Sequence, residues 1–169
     1  MMTHLKGRSR AGNAMVEFAL ASSLLIPIFL GTFQFGYTFY VYNLLSTQMR
    51  AGARFASMKA FKCYDATSVS NYKQKVRNVV RYGKPSPTNT DTVIEPGLTD
   101  SQVSVSIKDS SGTEVTDANA STRTPSYVEV STASYSVNAL FTSYTFTNKP
   151  LVRMPYLGAY QTTLTEPAP

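Results

Sequence analysis

Residues 18 to 49 contain no Asp, Glu, Lys or Arg. The most apolar part, FALASSLLIPIFLGTF (18–33), continues less strictly through FYVY (39–42) to Leu45. A helix crossing the hydrocarbon layer needs about 20 mostly apolar residues. The run therefore predicts one membrane-spanning helix, over about residues 17–42. A secretory signal has an apolar core of only about 7–15 residues, followed by a small-residue cleavage site. This run is longer, and no A-x-A site follows it directly. Tyr37, Tyr40 and Tyr42 suit an exit through the headgroup layer, where aromatic rings are favoured. Pro27 costs about 3 kcal/mol in the interior of a water-exposed helix. A membrane helix tolerates it with a kink. Beyond the span, LLSTQMRAGARFASMKAF (44–61) is free of Pro and rich in helix formers. Ala53, Ala56 and Ala60 share a stripe there, and Ala51, Gly52 and Ala53 permit close approach of another helix. One helix over 13–61 is expected, about 73 Å long at 1.5 Å per residue, so much of it protrudes from a bilayer.

Val69, Tyr72, Val76, Val79 and Val80 recur at three- and four-residue spacing and predict a second helix over 69–82. Ser68 or Ser70 is the expected cap, and Gly83 and Pro85 stop it. Lys73, Lys75, Arg77 and Arg81 are expected to form its solvated face. From Pro85 the composition turns to Ser, Thr, Asp and Val. QVSVSI (102–107) alternates as a half-buried strand does. DSSGTE reads as a turn, with a polar loop running on to Pro125. SYVEVSTASYSV (126–137) is β-branched and aromatic, hence a strand, extendable through ALFTSYTF. Residues 156–164 could add an edge strand. The expected class is α+β: a long N-terminal helix, a short helix and a small antiparallel sheet. The divisions are a basic leader (1–12), the long helix (13–61), the second helix with its connection (62–84) and a β-rich part (85–169).

Charge sharpens this picture. The net charge of +6 is unevenly placed. Residues 1–12 hold Lys6, Arg8 and Arg10 and no acid. Residues 50–84 hold nine Lys/Arg against Asp65, whereas 85–169 hold four against eight Asp/Glu. Basic charge flanking an apolar run points to membrane topology rather than to nucleic acid. It places the N-terminus in the cytoplasm and the β-rich part outside.

Catalytic signals do not accompany it. The one histidine, His4, lies in the leader, and no nucleophile-elbow, phosphate-loop or zinc-helix motif occurs. Cys63 is the only cysteine, which excludes an intrachain disulfide and a cysteine-rich zinc site. Asp109 and Asp117 lack calcium-loop spacing and read as parts of a polar hairpin loop. No enzyme activity, cofactor or metal is expected.

The informative motif is AGNAMVEFAL (11–20). Glu17 opens the apolar segment, where a carboxylate either has a partner and a role or sits in the headgroups, and burial cost alone favours neither. G-x-x-x-x-E-F behind a basic leader resembles the processing site of type IV pilin precursors. VEFAL with Pro27, Gly31, Phe35-Gly36 and MRAGARFAS (49–57) is similar, more narrowly, to the TadE-like pseudopilins of tight-adherence pilus systems. The likeness covers about residues 12–57 and departs at Gln34 and Tyr37, where that family often has Glu and Arg.

The resemblance implies a pilin-like fold. It implies cleavage by a membrane-embedded prepilin peptidase between Gly12 and Asn13. Glu17, followed by Phe18, would then pair with the amino terminus of a neighbouring subunit and set axial register. Pro27, Gly31, Gly36 and Gly52 become positions of helix kinking or packing. The implied place is the bacterial inner membrane, single-pass, with a periplasmic domain. The implied role is a minor subunit supporting biogenesis of an adhesive tight-adherence (Flp) type IVb pilus. Its partners would be membrane lipid, the peptidase, a major Flp-type pilin, a second pseudopilin, platform proteins and a motor ATPase. The rival reading is an anchored periplasmic structural protein that never enters a filament, with an anchored enzyme behind it. Sequencing of the mature N-terminus is expected to begin at Asn13. A start beyond residue 40, or an uncleaved chain, would refute the leader reading.

Overall fold

The computed structural model describes residues 8–139 and 141–161, with side chains for 12–139 and 141–160. Residues 1–7, with His4 and Lys6, and the far end of the expected 156–164 strand lie outside the described residues. One helix, α1, runs unbroken over Arg8–Met58 with Pro27 inside it. Its 51 residues make it about 77 Å long. It begins five residues before the expected start, so the helix passes through Gly12 and Asn13. It ends at Met58 rather than at residue 61, because the chain must leave the helix to bury Phe61. Phe61 lies in the two-residue strand β1 (Phe61–Lys62) and meets the rings of Tyr72 (5.0 Å) and Tyr160 (6.0 Å).

The second helix, α2 (Ala66–Tyr82), buries Val69, Tyr72, Val76, Val79 and Val80, the stripe read from spacing. Its cap is Asp65, whose carboxylate accepts the Ser68 N–H, and not a serine. A carboxylate also suits the positive end of the helix dipole. Gly83 (φ 72°) closes the helix in the left-handed conformation, and its N–H donates to Val79 O.

α1 and α2 pack on one face of a three-stranded antiparallel sheet. Its strands are β2 (Val103–Lys108), β3 (Tyr127–Thr132) and a later strand, Leu151–Pro155, in the order β2, β3, late strand. Val103, Val105 and Ile107 of β2 and Val128 and Val130 of β3 point into the core. Opposite them α1 contributes Val41, Leu45, Met49, Ala53 and Ala56, a stripe at helical spacing. Cys63 is buried in the same core. Burial, with Asp117 nearby, pushes its thiol up to about 11, so it stays protonated and out of reach of another chain.

The expected single strand over 126–137 breaks at Ala133. Beyond the break come β4 (Ser134–Asn138) and β5 (Ser143–Thr147), paired antiparallel. The chain thus reverses at 139–142 instead of extending through ALFTSYTF. Asn148 (φ 55°), Lys149 and Pro150 separate β5 from Leu151–Pro155, which is therefore β6. In effect β4–β5 is a two-stranded extension of the β3–β6 pair. The last short strand, β7 (Tyr160–Gln161), pairs parallel with β1.

The basic side chains of α2 do not form the expected solvated face. Lys73 pairs with Glu114 (2.7 Å), Arg81 with Asp100 (2.6 Å), and Arg77 Nε donates to Val103 O (3.1 Å). Only Lys75 of the four is exposed. The net-acidic half of the chain has folded back on the basic one. DSSGTE is a turn, as read: the Asp109 carboxylate accepts from Ser111 N, Ser111 Oγ and Thr113 N and pairs with Arg123. The Ser111 hydroxyl, ahead of the other donors, holds its carboxyl down at about 2.

One glycine is required by packing that spacing does not reveal. A Cβ on Gly158 would collide with the Lys59 carbonyl oxygen, beside the β1–β7 pairing. Gly36, by contrast, has nothing within 4 Å. Gly158→Ala is expected to destabilise the domain by about 1–3 kcal/mol in chemical unfolding followed by circular dichroism. Gly36→Ala should leave the midpoint unchanged or raise it slightly, by up to about 1 kcal/mol of helix propensity.

Candidate functional site

The folded domain covers only part of α1. None of residues 12–33 is buried, and Ser22, Leu30 and Gly31 alone are half-buried. Phe18, Leu20, Leu24, Phe29 and Phe33 are each at least 60 % exposed. The most apolar 18-residue window of this helix has a mean hydropathy of 1.9, and none of it is buried. The uncharged, uncovered stretch 18–33 is about 24 Å long, and the domain covers α1 from Gln34 onward, inside the span expected over about 17–42. Leaving so many large apolar side chains in water is untenable, and a helix of this length and composition suits membrane anchoring.

Among the described side chains of α1, Gln34 is the first that is buried. Its Nε2 donates to Thr142 O (2.9 Å), and Phe141 N–H points back at its Oε1 (3.4 Å). The loop between β4 and β5 is thus clasped to the helix. In the sequence Gln34 stands out only as a departure from Glu. The amide donates and accepts at once, which a carboxylate cannot do. Higher up, Tyr42 meets Phe146 of β5 with ring centroids 5.3 Å apart. Tyr37, the other departure, borders a hollow shared with Glu95 and Tyr135. There Tyr135 Oη donates to the buried Glu95 (2.7 Å). Burial first, and then this bond, raise the Tyr135 hydroxyl above its ordinary range.

The motif residues are distributed as follows. Gly12, Asn13, Glu17 and Phe18 all lie exposed on the uncovered end of α1. Glu17 is the only charged residue from 11 to 49. Among the described residues it makes no ion pair. A methyl group added at Gly12, Gly31 or Gly36 would have nothing within 4 Å, so these glycines serve no packing inside the protomer. Gly52 does: a Cβ there would collide with the Val80 side chain of α2. Among the described residues no group of three or more His, Cys, Asp and Glu side chains comes together.

Residues 12–54 match the family model for TadE-like protein. The TadE-like segment covers about a quarter of the chain. It comprises the uncovered half of α1 and the part of α1 that the domain grips. The likeness read from VEFAL through MRAGARFAS is therefore sustained over nearly all of its length. No curated protein and no solved structure matches the chain.

Replacing Gln34 with Ala removes the clasp and leaves the Thr142 carbonyl without its donor. A loss of about 1.4 kcal/mol is expected locally. Hydrogen exchange of the β4–β5 amides should quicken about tenfold while that of α2 stays unchanged. Equal exchange in both proteins would show that the clasp does not hold the hairpin.

Proposed function

We propose that this chain is a minor pilin-like subunit supporting biogenesis of an adhesive tight-adherence type IVb pilus. The observation that carries the reading is Glu17. It is a lone carboxylate on an uncovered apolar helix, inside the segment that matches the TadE-like model. Its desolvation in a low-dielectric layer is offset by a cation brought by a neighbour, such as a free amino terminus. That pairing would fix the axial register of adjacent helices.

Cleavage after Gly12 by a prepilin peptidase would generate an amino terminus four residues ahead of Glu17. Gly12 weakens the helix by about 1 kcal/mol relative to Ala, which eases local unwinding for the protease. Arg8 and Arg10 favour a cytoplasmic N-terminus, which puts the α+β domain in the periplasm. The inner membrane stores the subunit before assembly. Extraction would exchange lipid contacts for packing against a major Flp-type pilin or a second pseudopilin, driven by platform proteins and a motor ATPase.

Glu17→Gln is expected to leave the protein in the membrane at normal level but to abolish pili counted by electron microscopy. Normal piliation in that variant would refute the register role. Normal piliation after deletion of the whole chain would refute the biogenesis role.

A further inference from the structure

The β4–β5 hairpin has an unusual composition. From residue 130 to 148 the chain carries no charged side chain, and this stretch contains β4, β5 and the loop joining them. It lies along the upper part of the other charge-free stretch, residues 18–49 of α1. Two contacts give its direction. Phe146 is beside Tyr42, and Thr142 is beside Gln34. The eight helical residues between these contacts rise about 12 Å, and the four strand residues rise about 13 Å. The hairpin therefore runs alongside the helix axis, and its tip ends level with Gln34.

The tip is apolar and uncovered. Phe141 is 64 % exposed, although the neighbouring Phe146 packs against the core. Immediately below this level α1 is bare, with residues 18–33 uncovered and free of charge. The end of that span falls at Phe33, one residue from the Gln34 clasp. Exposed aromatic side chains gather at the same level and just above it: Phe33, Phe35, Tyr37 and Tyr40 on the helix, with Phe141 on the hairpin. Aromatic rings concentrate at such a boundary.

Resting on the reading of α1 as a membrane span, we infer that the tip of the β4–β5 hairpin, through Phe141, seats in the interfacial layer of the bilayer. The protein then touches the membrane at two places, the span and this foot. The Gln34 clasp sets the height of the foot. A lipid surface is favoured over a protein partner because the uncharged hairpin continues the uncovered apolar surface of α1 at its tip. The lack of charge over 130–148 fits a segment held against headgroups and acyl chains without ion-pair preference.

The chain has no tryptophan, so single substitutions give clean fluorescent probes. Phe141→Trp, Leu24→Trp and Leu157→Trp variants of the full chain would be reconstituted in vesicles of phosphatidylethanolamine and phosphatidylglycerol. Leu24 lies in the bare helix; Leu157 is exposed beside Ser57, about 35 Å up the helix from Gln34. The expected result has Phe141→Trp emission shifted to shorter wavelength and quenched most by lipids brominated near the headgroup. Leu24→Trp should be quenched most by deep bromines, and Leu157→Trp by neither. Quenching at 24 with none at 141 would overturn the foot while leaving the span intact. No quenching at 24 would overturn the span itself. A blue-shifted but unquenched probe at 141 whose shift fades as protein is diluted in lipid would assign the tip to a neighbouring copy and overturn the proposal.

Discussion

The structure depends on one constraint: a single continuous helix must satisfy two solvents along its length. From Gln34 to the end of α1, an apolar stripe at helical spacing meets two strands and a second helix, and water is excluded by the protein itself. From residue 12 to 33 nothing covers the helix, and from Phe18 to Phe33 its side chains are apolar on every side but for Ser22, Ser23 and Thr32. A helix that is hydrophobic on every side is stable only in lipid or within a bundle of like helices. The folded domain is built so as not to cover this half. Its lowest element stops at Gln34, and every large buried side chain of α1 lies above that point.

Charge divides the chain in the same way. The basic region 50–84 and the acidic region 85–169 are complementary halves of one domain, joined by Lys73–Glu114, Arg81–Asp100 and Lys84–Asp91. Each partly exposed pair contributes little alone, about 0–1 kcal/mol. The buried stripe of α2 decides which side faces the sheet, and the pairs from Lys73 and Arg81 accord with it. The lower part of the domain, by contrast, is free of charge in both the helix and the hairpin. The molecule is thus polar at the end away from Glu17 and apolar over the end nearest the bare helix.

Legibility in the sequence follows the range of the interactions. The α2 stripe and the alternating valines of β2 are local periodicities, and both are readable directly. Asp65 is hidden as a cap because two serines closer to the stripe have the same chemistry; the three extra helical residues after it, Ala66, Thr67 and Ser68, add no buried position. The strand β6 is hidden because LVRMP ends in Pro and begins beside one, and only pairing with β3 makes it a strand. Gly158 and Gln34 answer to partners about a hundred residues distant, Lys59 and Thr142, which no spacing rule can reach. For the motif residues the situation is reversed. Gly12, Glu17 and Phe18 are legible through the family pattern, and the protomer offers them no internal partner. Residues whose partners are distant in the chain are obscure in the sequence, and those in a local period or a family pattern are plain.

That contrast bears on how the helix transmits force. Above Gln34, α1 is braced by α2, by the sheet and by the hairpin, so the domain and this part of the helix move as one body. Below it the helix has no brace, and it contains Pro27, which cannot donate the backbone hydrogen bond expected at its position. Any bend between the domain and the Glu17 end therefore concentrates near Pro27, about 10 Å below the clasp. On the proposed reading, a subunit leaving the membrane would re-aim its apolar half toward neighbouring helices while its domain kept its own packing. A rigid upper rod joined to a bendable lower one separates these two demands. The position of Gln34, seven residues above Pro27, is what keeps the bend out of the domain.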